Sequence, residues 1–277
     1  MEKQRQSFGA ELSVQGATPK EATSTVYVST NYMEVVTPRA AQTNLARYRR
    51  CSKKEYMDLA TGELCTYSPQ SVDDGGNTSD GTRGFRELDR ILCTNFSGSN
   101  SELHITLTVA SESQADLDSL QERFRKFWKS FHYRFPRCEY VVIAEPHKSG
   151  RYHLHLLVKD REGIPLYVKN EEVWTLWEIG VTRTGRIHNA EWPSAYFCSQ
   201  RKRMLWQKYH RSGRRLFRCS QGIVRPKRQK MLRKEVNGYV ELHGFKKVGE
   251  YDYQVKADGG GAGERLLNVI TYEKYRR

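Results

Sequence analysis

Acidic residues are almost missing from one quarter of this 277-residue chain: between positions 181 and 250, eighteen Lys and Arg stand against four Asp and Glu. The formal net charge of the whole chain is +14, with a pI near 9.5, so the entire excess falls in that stretch. A polyanion is the partner such a stretch suits. Long apolar runs are missing too: none approaches the ~18 to 20 residues of a membrane span, and Met1-Glu2-Lys3-Gln4-Arg5 lacks the apolar core of a signal peptide. A cytosolic protein without a membrane partner is expected. The six cysteines, at 51, 65, 93, 138, 198 and 219, contain no Cys-x-x-Cys pair. That argues against a zinc ribbon and a disulfide framework and for reduced thiols. No Gly-x-x-x-x-Gly-Lys-Ser/Thr phosphate loop is present, so a built-in helicase is not expected and any unwinding would come from a partner. A second His-x-Ser/Thr copy, which a two-histidine phosphoesterase needs, is also missing, and there is no internal repeat.

What the chain does have is one well-patterned core. Residues 1 to about 24 read as loose, with a short strand over Thr25 to Thr30, and residues 68 to 84 turn to Ser, Asp, Gly, Asn and Thr, the composition of a connection. The expected division is an irregular N-terminal region and linker over 1–84, a core with a basic tract over 85–234 and a β-rich extension over 235–277. In the core, Phe85 to Asn95 reads as a helix. Leu103, Ile105, Leu107 and Val109 alternate with polar residues as a half-buried strand does. Leu117, Leu120, Phe124, Phe127 and Phe131 recur at helical spacing, predicting an amphipathic helix over 113–131. A helix from about Glu171 stopping at Gly180, a strand near Arg183 to Ile187, a helix from Pro193 through Gln200 and a hairpin around Tyr239 to Val255 follow. This order describes an α+β fold, with a central antiparallel sheet flanked by helices.

His153 and His155 carry the most specific chemistry. In Tyr152-His153-Leu154-His155-Leu156-Leu157-Val158 they are two apart on a predicted strand, so both imidazoles point to one face. Tyr140 to Glu145 reads as the partner strand, and Pro146-His147-Lys148-Ser149-Gly150 as the turn between them. If Glu145 pairs with Arg151, its carboxylate shares the face of both histidines. Two nitrogens and an oxygen suit a divalent metal. Tyr152, Leu154, Leu156 and Val158 would bury the opposite face, leaving the histidine face free.

The basic excess is interleaved with rings rather than arranged in an amphipathic stripe, which favours nucleic acid over a membrane surface. Arg201, Lys202, Arg203, Lys208, Arg214, Arg215, Arg218, Lys227 and Arg228 are the candidate phosphate contacts, with Trp206, Tyr209 and Phe217 placed to stack on unpaired bases.

Four stretches, taken in order, resemble the HUH endonucleases, and more narrowly the rolling-circle replication initiators of small phages and bacterial mobile elements. They are Arg86 to Phe96 followed by His104-Ile105-Thr106-Leu107-Thr108; Glu145 with Lys148, Gly150 and His153-Leu154-His155; Trp177 to Gly180 followed by Ala195-Tyr196; and Phe217 to Gly222 with Pro226. The resemblance implies that Tyr196 is the nucleophile, that a Mg²⁺ or Mn²⁺ ion is held by His153, His155 and Glu145, and that single-stranded DNA at a replication origin is nicked through a 5′-phosphotyrosine. It also implies a host helicase and polymerase as partners, in the cytoplasm of a bacterial host. Many relatives carry a second tyrosine four residues on, with a lysine just before it; Gln200 and Ser199 stand there. The single-tyrosine version is therefore expected, with the lysine's role passed to Arg201 or Lys202, or lost. Tyr209 is the rival nucleophile. A single-tyrosine transposase would use the same residues on element ends, and a non-catalytic origin-binding protein would bind DNA without cutting it.

Overall fold

The computed structural model describes residues 22–39, 48–51, 55–58, 64–66, 79–110, 117–146, 152–199, 202–204, 206, 215–257 and 265–277. In chain order the elements are β1 (Thr23–Val28), β2 (Tyr32–Pro38), β3 (Tyr48–Arg50), β4 (Glu55–Asp58), β5 (Leu64–Thr66), α1 (Ser79–Asn95), β6 (Glu102–Leu107), α2 (Leu117–Arg134) and β7 (Cys138–Pro146). They continue with β8 (Tyr152–Asp160), α3 (Asn170–Trp177), β9 (Thr182–Arg186), α4 (Trp192–Phe197), β10 (Phe217–Cys219), β11 (Lys227–Leu232), α5 (Arg233–Leu242), β12 (Lys246–Ala257) and β13 (Arg265–Arg276). The architecture is α+β, with two antiparallel five-stranded sheets. Among the described residues, no helix is long and apolar enough to cross a membrane.

Two compact units divide the chain: Val72–Pro226, and Met1–Ser71 together with Lys227–Arg277. In the first, the sheet runs β10-β7-β8-β6-β9. The aromatic stripe of α2 packs on one face: Phe124 and Trp128 lie against Tyr140, and the Phe127 ring meets Trp177 of α3 edge-on at 5.7 Å. Phe124, Phe127 and Phe131 are all buried. At roughly 1.5–3 kcal/mol for each ring removed from water, that stripe fixes the helix on the sheet. The other face, which carries His153 and His155, is roofed by α1 and α4: Phe197 lies 5.1 Å from the His155 ring and 5.8 Å from His104. The sequence expectation of a free histidine face is corrected here, because the sheet is covered on both sides and His155 is only 4 % exposed.

The β7–β8 hairpin forms, with a different register from the one expected. Pro146 stays in the ladder opposite Tyr152, so Glu145 pairs with His153 and not with Arg151, and Ile143 pairs with His155. The shift is two residues. Side chains alternate with period two, so Glu145 stays on the histidine face. Residues 147–151, which include most of the expected turn, lie outside the described residues. Helix α3 ends as Glu178 adopts a left-handed conformation (φ 64°), not at a glycine cap. Gly180 is needed for another reason: a Cβ there would lie 2.2 Å from the Thr108 carbonyl oxygen. Helix α4 also stops earlier than expected, at Phe197, and a new helical stretch opens where Ser199 O accepts the Arg203 N–H at 3.0 Å.

In the second unit the sheet order is β11-β1-β2-β13-β12, so N-terminal strands pair with C-terminal ones. Val236 and Phe245, with Tyr239 and Val240, pack on Val26, Met33, Val35 and Tyr275. The hairpin expected around Tyr239 to Val255 is corrected: Arg233–Leu242 is helical because Val236, Tyr239 and Val240 fall at helical spacing on one apolar side. The strand pair is β12 with β13. Residues 1–21 and the loop expected at Gly259 to Gly263 lie outside the described residues.

Candidate functional site

Strand pairing assembles the site across three neighbouring strands. Glu145 stands opposite His153 on β7 and β8, and Thr106 of β6 stands opposite His155 on its other side. The His155 Nε2 lies 3.0 Å from Glu145 Oε2 and 3.0 Å from His153 Nε2, while His153 Nε2 is 3.9 Å from Glu145 Oε1. One ligand atom from each residue falls within 4.8 Å of the others, a group that could hold a metal ion. Donor chemistry and burial both fit one. Glu145 Oε2 is buried without a hydrogen-bond partner, and two imidazole nitrogens crowd against it. A divalent cation with nitrogen and oxygen ligands would satisfy all three.

Burial by itself would push the Glu145 carboxyl up, but hydrogen bonding and charge from His155 and Lys202 outweigh it and hold the group down at about 2. The carboxylate is therefore ionised at neutral pH. Lys202 ion-pairs with Glu145 Oε1 and donates from the same Nζ to the Tyr196 hydroxyl at 3.3 Å. Its ammonium also lies 4.4 Å from the centre of the Tyr196 ring. Of the two cations expected to stand in for the family's lysine, Lys202 is brought between carboxylate and phenol, and Arg201 lies outside the described residues.

Tyr196 is placed by a short, well-anchored helix. Asn189 Oδ1 accepts the backbone N–H groups of Glu191 and Trp192 at 3.1 and 2.8 Å, which starts the turn. Pro193 fits the first turn, and the Ser194 hydroxyl donates to Asp89 of α1, tying α4 down. The Tyr196 ring stacks on Trp192 at 5.2 Å and meets the His155 ring edge-on at 5.8 Å. At 37 % exposure it remains reachable. The expected company of Ser199 and Arg203 on its helical face does not form, because α4 ends first. Ser199 Oγ instead donates to the Tyr196 carbonyl, and Arg203 Nε donates to the Cys198 carbonyl.

The basic candidates separate into two kinds. Arg203 lies over the Phe85 ring at 5.6 Å, and Arg218 of β10 donates to Gln121, so both are engaged within the protein. Arg215, Lys227 and Arg228 are exposed. Lys208, Arg214 and the rival Tyr209 lie outside the described residues. Trp206 is corrected: it is 4 % exposed and part of the core, so its ring is not available to stack on a base.

His104 was missed. Its Nε2 lies 3.0 Å from His155 Nδ1, and its ring packs against Trp192 at 5.1 Å. Burial, then His155 and Arg183, lower it to about 3, so it is neutral near pH 7. The signal was present in the alternation: His104 and Thr106 fall on the face opposite Leu103, Ile105 and Leu107. What the local pattern did not give was that β6 is the neighbour of β8.

No curated protein and no solved structure matches the chain. Residues 102–202, running from β6 to Lys202 and containing Glu145, His153, His155 and Tyr196, match the family model for replication-associated proteins of the ORF2 type, in line with the resemblance to replication initiators that the motifs carry.

Proposed function

We propose that the protein nicks single-stranded DNA at a replication origin and transfers the cut strand, initiating rolling-circle replication through Tyr196. The observation that carries this reading is the position of Lys202, whose one ammonium touches both the Tyr196 hydroxyl and the Glu145 carboxylate beside the two histidines. Nucleophile and ion site are thereby within reach of one phosphodiester. The match to a replication-associated family supports the substrate class.

In the cleavage step the phenolate oxygen of Tyr196 forms a bond to phosphorus as the bond from phosphorus to the 3′ oxygen breaks. The phenol's proton leaves to solvent, and the departing oxygen takes one up as a free 3′-OH. The DNA 5′ end stays on the protein as a phosphotyrosine. A phenol, with a pKa near 10, is a far better leaving group than an alkoxide, so the 3′-OH of an incoming strand can reverse the step and rejoin the DNA. Lys202 stabilises the phenolate and orients it, and the Trp192 stack restricts the ring. His153, His155 and Glu145 would hold a Mg²⁺ or Mn²⁺ ion, which when bound polarises the phosphate. Covering by α1 and α4 keeps water from competing with the strand. Exposed cations of the 201–234 tract track the backbone, and a host helicase and polymerase supply unwinding and extension.

Labelled single-stranded oligonucleotides incubated with the protein and Mn²⁺ should give a DNA adduct that survives denaturation. Tyr196→Phe should abolish the adduct and leave DNA binding near normal. An adduct that persists in the Phe variant would move the nucleophile elsewhere, with Tyr209 first in line, and no adduct from the wild type with any origin-bearing strand would favour a binding protein.

A further inference from the structure

We propose that His104 is a positioning residue: its Nε2 accepts the Nδ1–H of His155 and so fixes the tautomer in which His155 turns a bare Nε2 toward Glu145 and His153. The inference rests on the metal reading of that cluster and adds to it the group that prepares one ligand.

A neutral imidazole carries one proton, and which nitrogen holds it decides whether the other can bind a cation. His155 faces the cluster through Nε2, 3.0 Å from both Glu145 Oε2 and His153 Nε2, so a ligand role needs that nitrogen unprotonated and Nδ1 protonated. A ligating histidine is ordinarily held so by an acceptor on its far nitrogen. Here the atom in that place is His104 Nε2, at 3.0 Å. The arrangement follows from the sheet. Thr106 is directly opposite His155, and His104, two residues along β6, shares its face as the diagonal neighbour. Trp192 and Phe197 pack the His104 ring from α4, so the acceptor cannot swing away without disturbing the helix that carries Tyr196. Gly185 of β9 stands opposite His104 with no side chain to compete for the space.

An imidazole in this role differs from the more usual carboxylate in one respect that matters to a nuclease. It orients the ligand without adding a negative charge where a phosphate must approach, which leaves Glu145 as the anion among these groups and Lys202 beside it. The same helix, α4, thus packs the positioning ring with Trp192 and presents the phenol with Tyr196.

The test uses the full chain labelled with ¹⁵N-histidine and free of metal, with Mn²⁺ binding measured separately by titration. In the wild type the His155 ring should show the Nδ1–H tautomer. His104→Phe, which keeps an aromatic ring but removes the acceptor, should lose that preference and weaken Mn²⁺ binding by about 10- to 100-fold. His104→Gln, whose side-chain oxygen can accept in the same place, should restore most of the affinity. An Nε2–H tautomer in the wild type, or Mn²⁺ binding by His104→Phe at wild-type strength, would overturn the proposal. If His104→Phe does not fold, the wild-type tautomer and the Gln variant decide it. A wild type that binds no Mn²⁺ would instead overturn the metal reading, and the tautomer comparison would then judge His104 by itself.

Discussion

Each unit buries a carboxylate on a central strand, Glu145 on β7 and Glu273 on β13, and their surroundings differ in a way that separates a structural group from a reactive one. Glu273 is held by two permanent cations, Arg233 at 2.9 Å and Lys247 at 2.8 Å, and accepts from the Tyr275 hydroxyl at 3.1 Å. Glu145 has one permanent cation, Lys202, which it shares with Tyr196; its other neighbours are imidazoles. Both have an oxygen without a hydrogen bond. In Glu273 that oxygen faces a guanidinium at 2.9 Å, and in Glu145 it faces an imidazole nitrogen at 3.0 Å. Burying a carboxylate costs several kcal/mol unless positive charge and hydrogen bonds offset it. The first carboxylate is saturated, whereas the second has room for a cation.

The contrast breaks most directly by neutralising each in turn. Glu273→Gln leaves two buried cations facing an amide and should cost roughly 3–5 kcal/mol of stability in urea unfolding. The melting shift on adding Mn²⁺ should persist in that variant. Glu145→Gln should do the opposite, with a small change in stability and loss of both the Mn²⁺ shift and the DNA adduct. If the Mn²⁺ shift disappeared with Glu273 and survived without Glu145, the assignment of roles would be reversed.

Local pattern carried the elements whose partners are near in sequence. The α2 stripe, the β6 alternation and the β7–β8 hairpin were legible because each is a periodicity or a turn signal within a few residues. Glu145, His153 and His155 converge as expected even though the register differed, since a slip of two preserves the face. Less legible was whatever depends on distant pairing. The joining of β1 and β2 to β13 spans most of the chain, and no hairpin signal marks it. His104 falls in the same category: its chemistry shows only once β6 is known to lie beside β8. Trp206 shows the converse, a ring in a basic tract that reads as a base-stacking surface and is buried by tertiary packing.

Acid offers a smaller and graded separation. His104 is lowered from 6.5 to about 3, and Glu145 from 4.5 to about 2. The unfolded chain takes up the His104 proton first, so stability that is complete above about pH 6.5 should fall as pH drops toward about 3. Glu145 adds a loss of the same sign between about 4.5 and about 2. Near pH 6 to 5 only the histidine of these two acts, and one proton corresponds to at most about 1.4 kcal/mol per pH unit. Urea midpoints of the wild type should fall over that interval, and His104→Phe should flatten the dependence. An equal fall in the variant would assign the acid sensitivity to other groups.

The smallest effect expected lies in the basic tract, where the same distinction between engaged and available charge applies. Arg203 and Arg218 are committed to Phe85, Cys198 and Gln121, whereas Lys227 and Arg228 are exposed on β11. For a single strand, each phosphate contact contributes a slope of about −0.7 to the dependence of log affinity on log salt. Exchanging Lys227 and Arg228 for Gln should therefore flatten the slope by about 1.4 if both meet phosphates. Exchanging Arg203 and Arg218 should lower thermal stability and leave the slope near the wild-type value. Binding measured across a salt series separates the two pairs. An unchanged slope in the first pair would remove β11 from the DNA track, and a flattened one in the second would mean that those guanidiniums leave their internal partners for the strand.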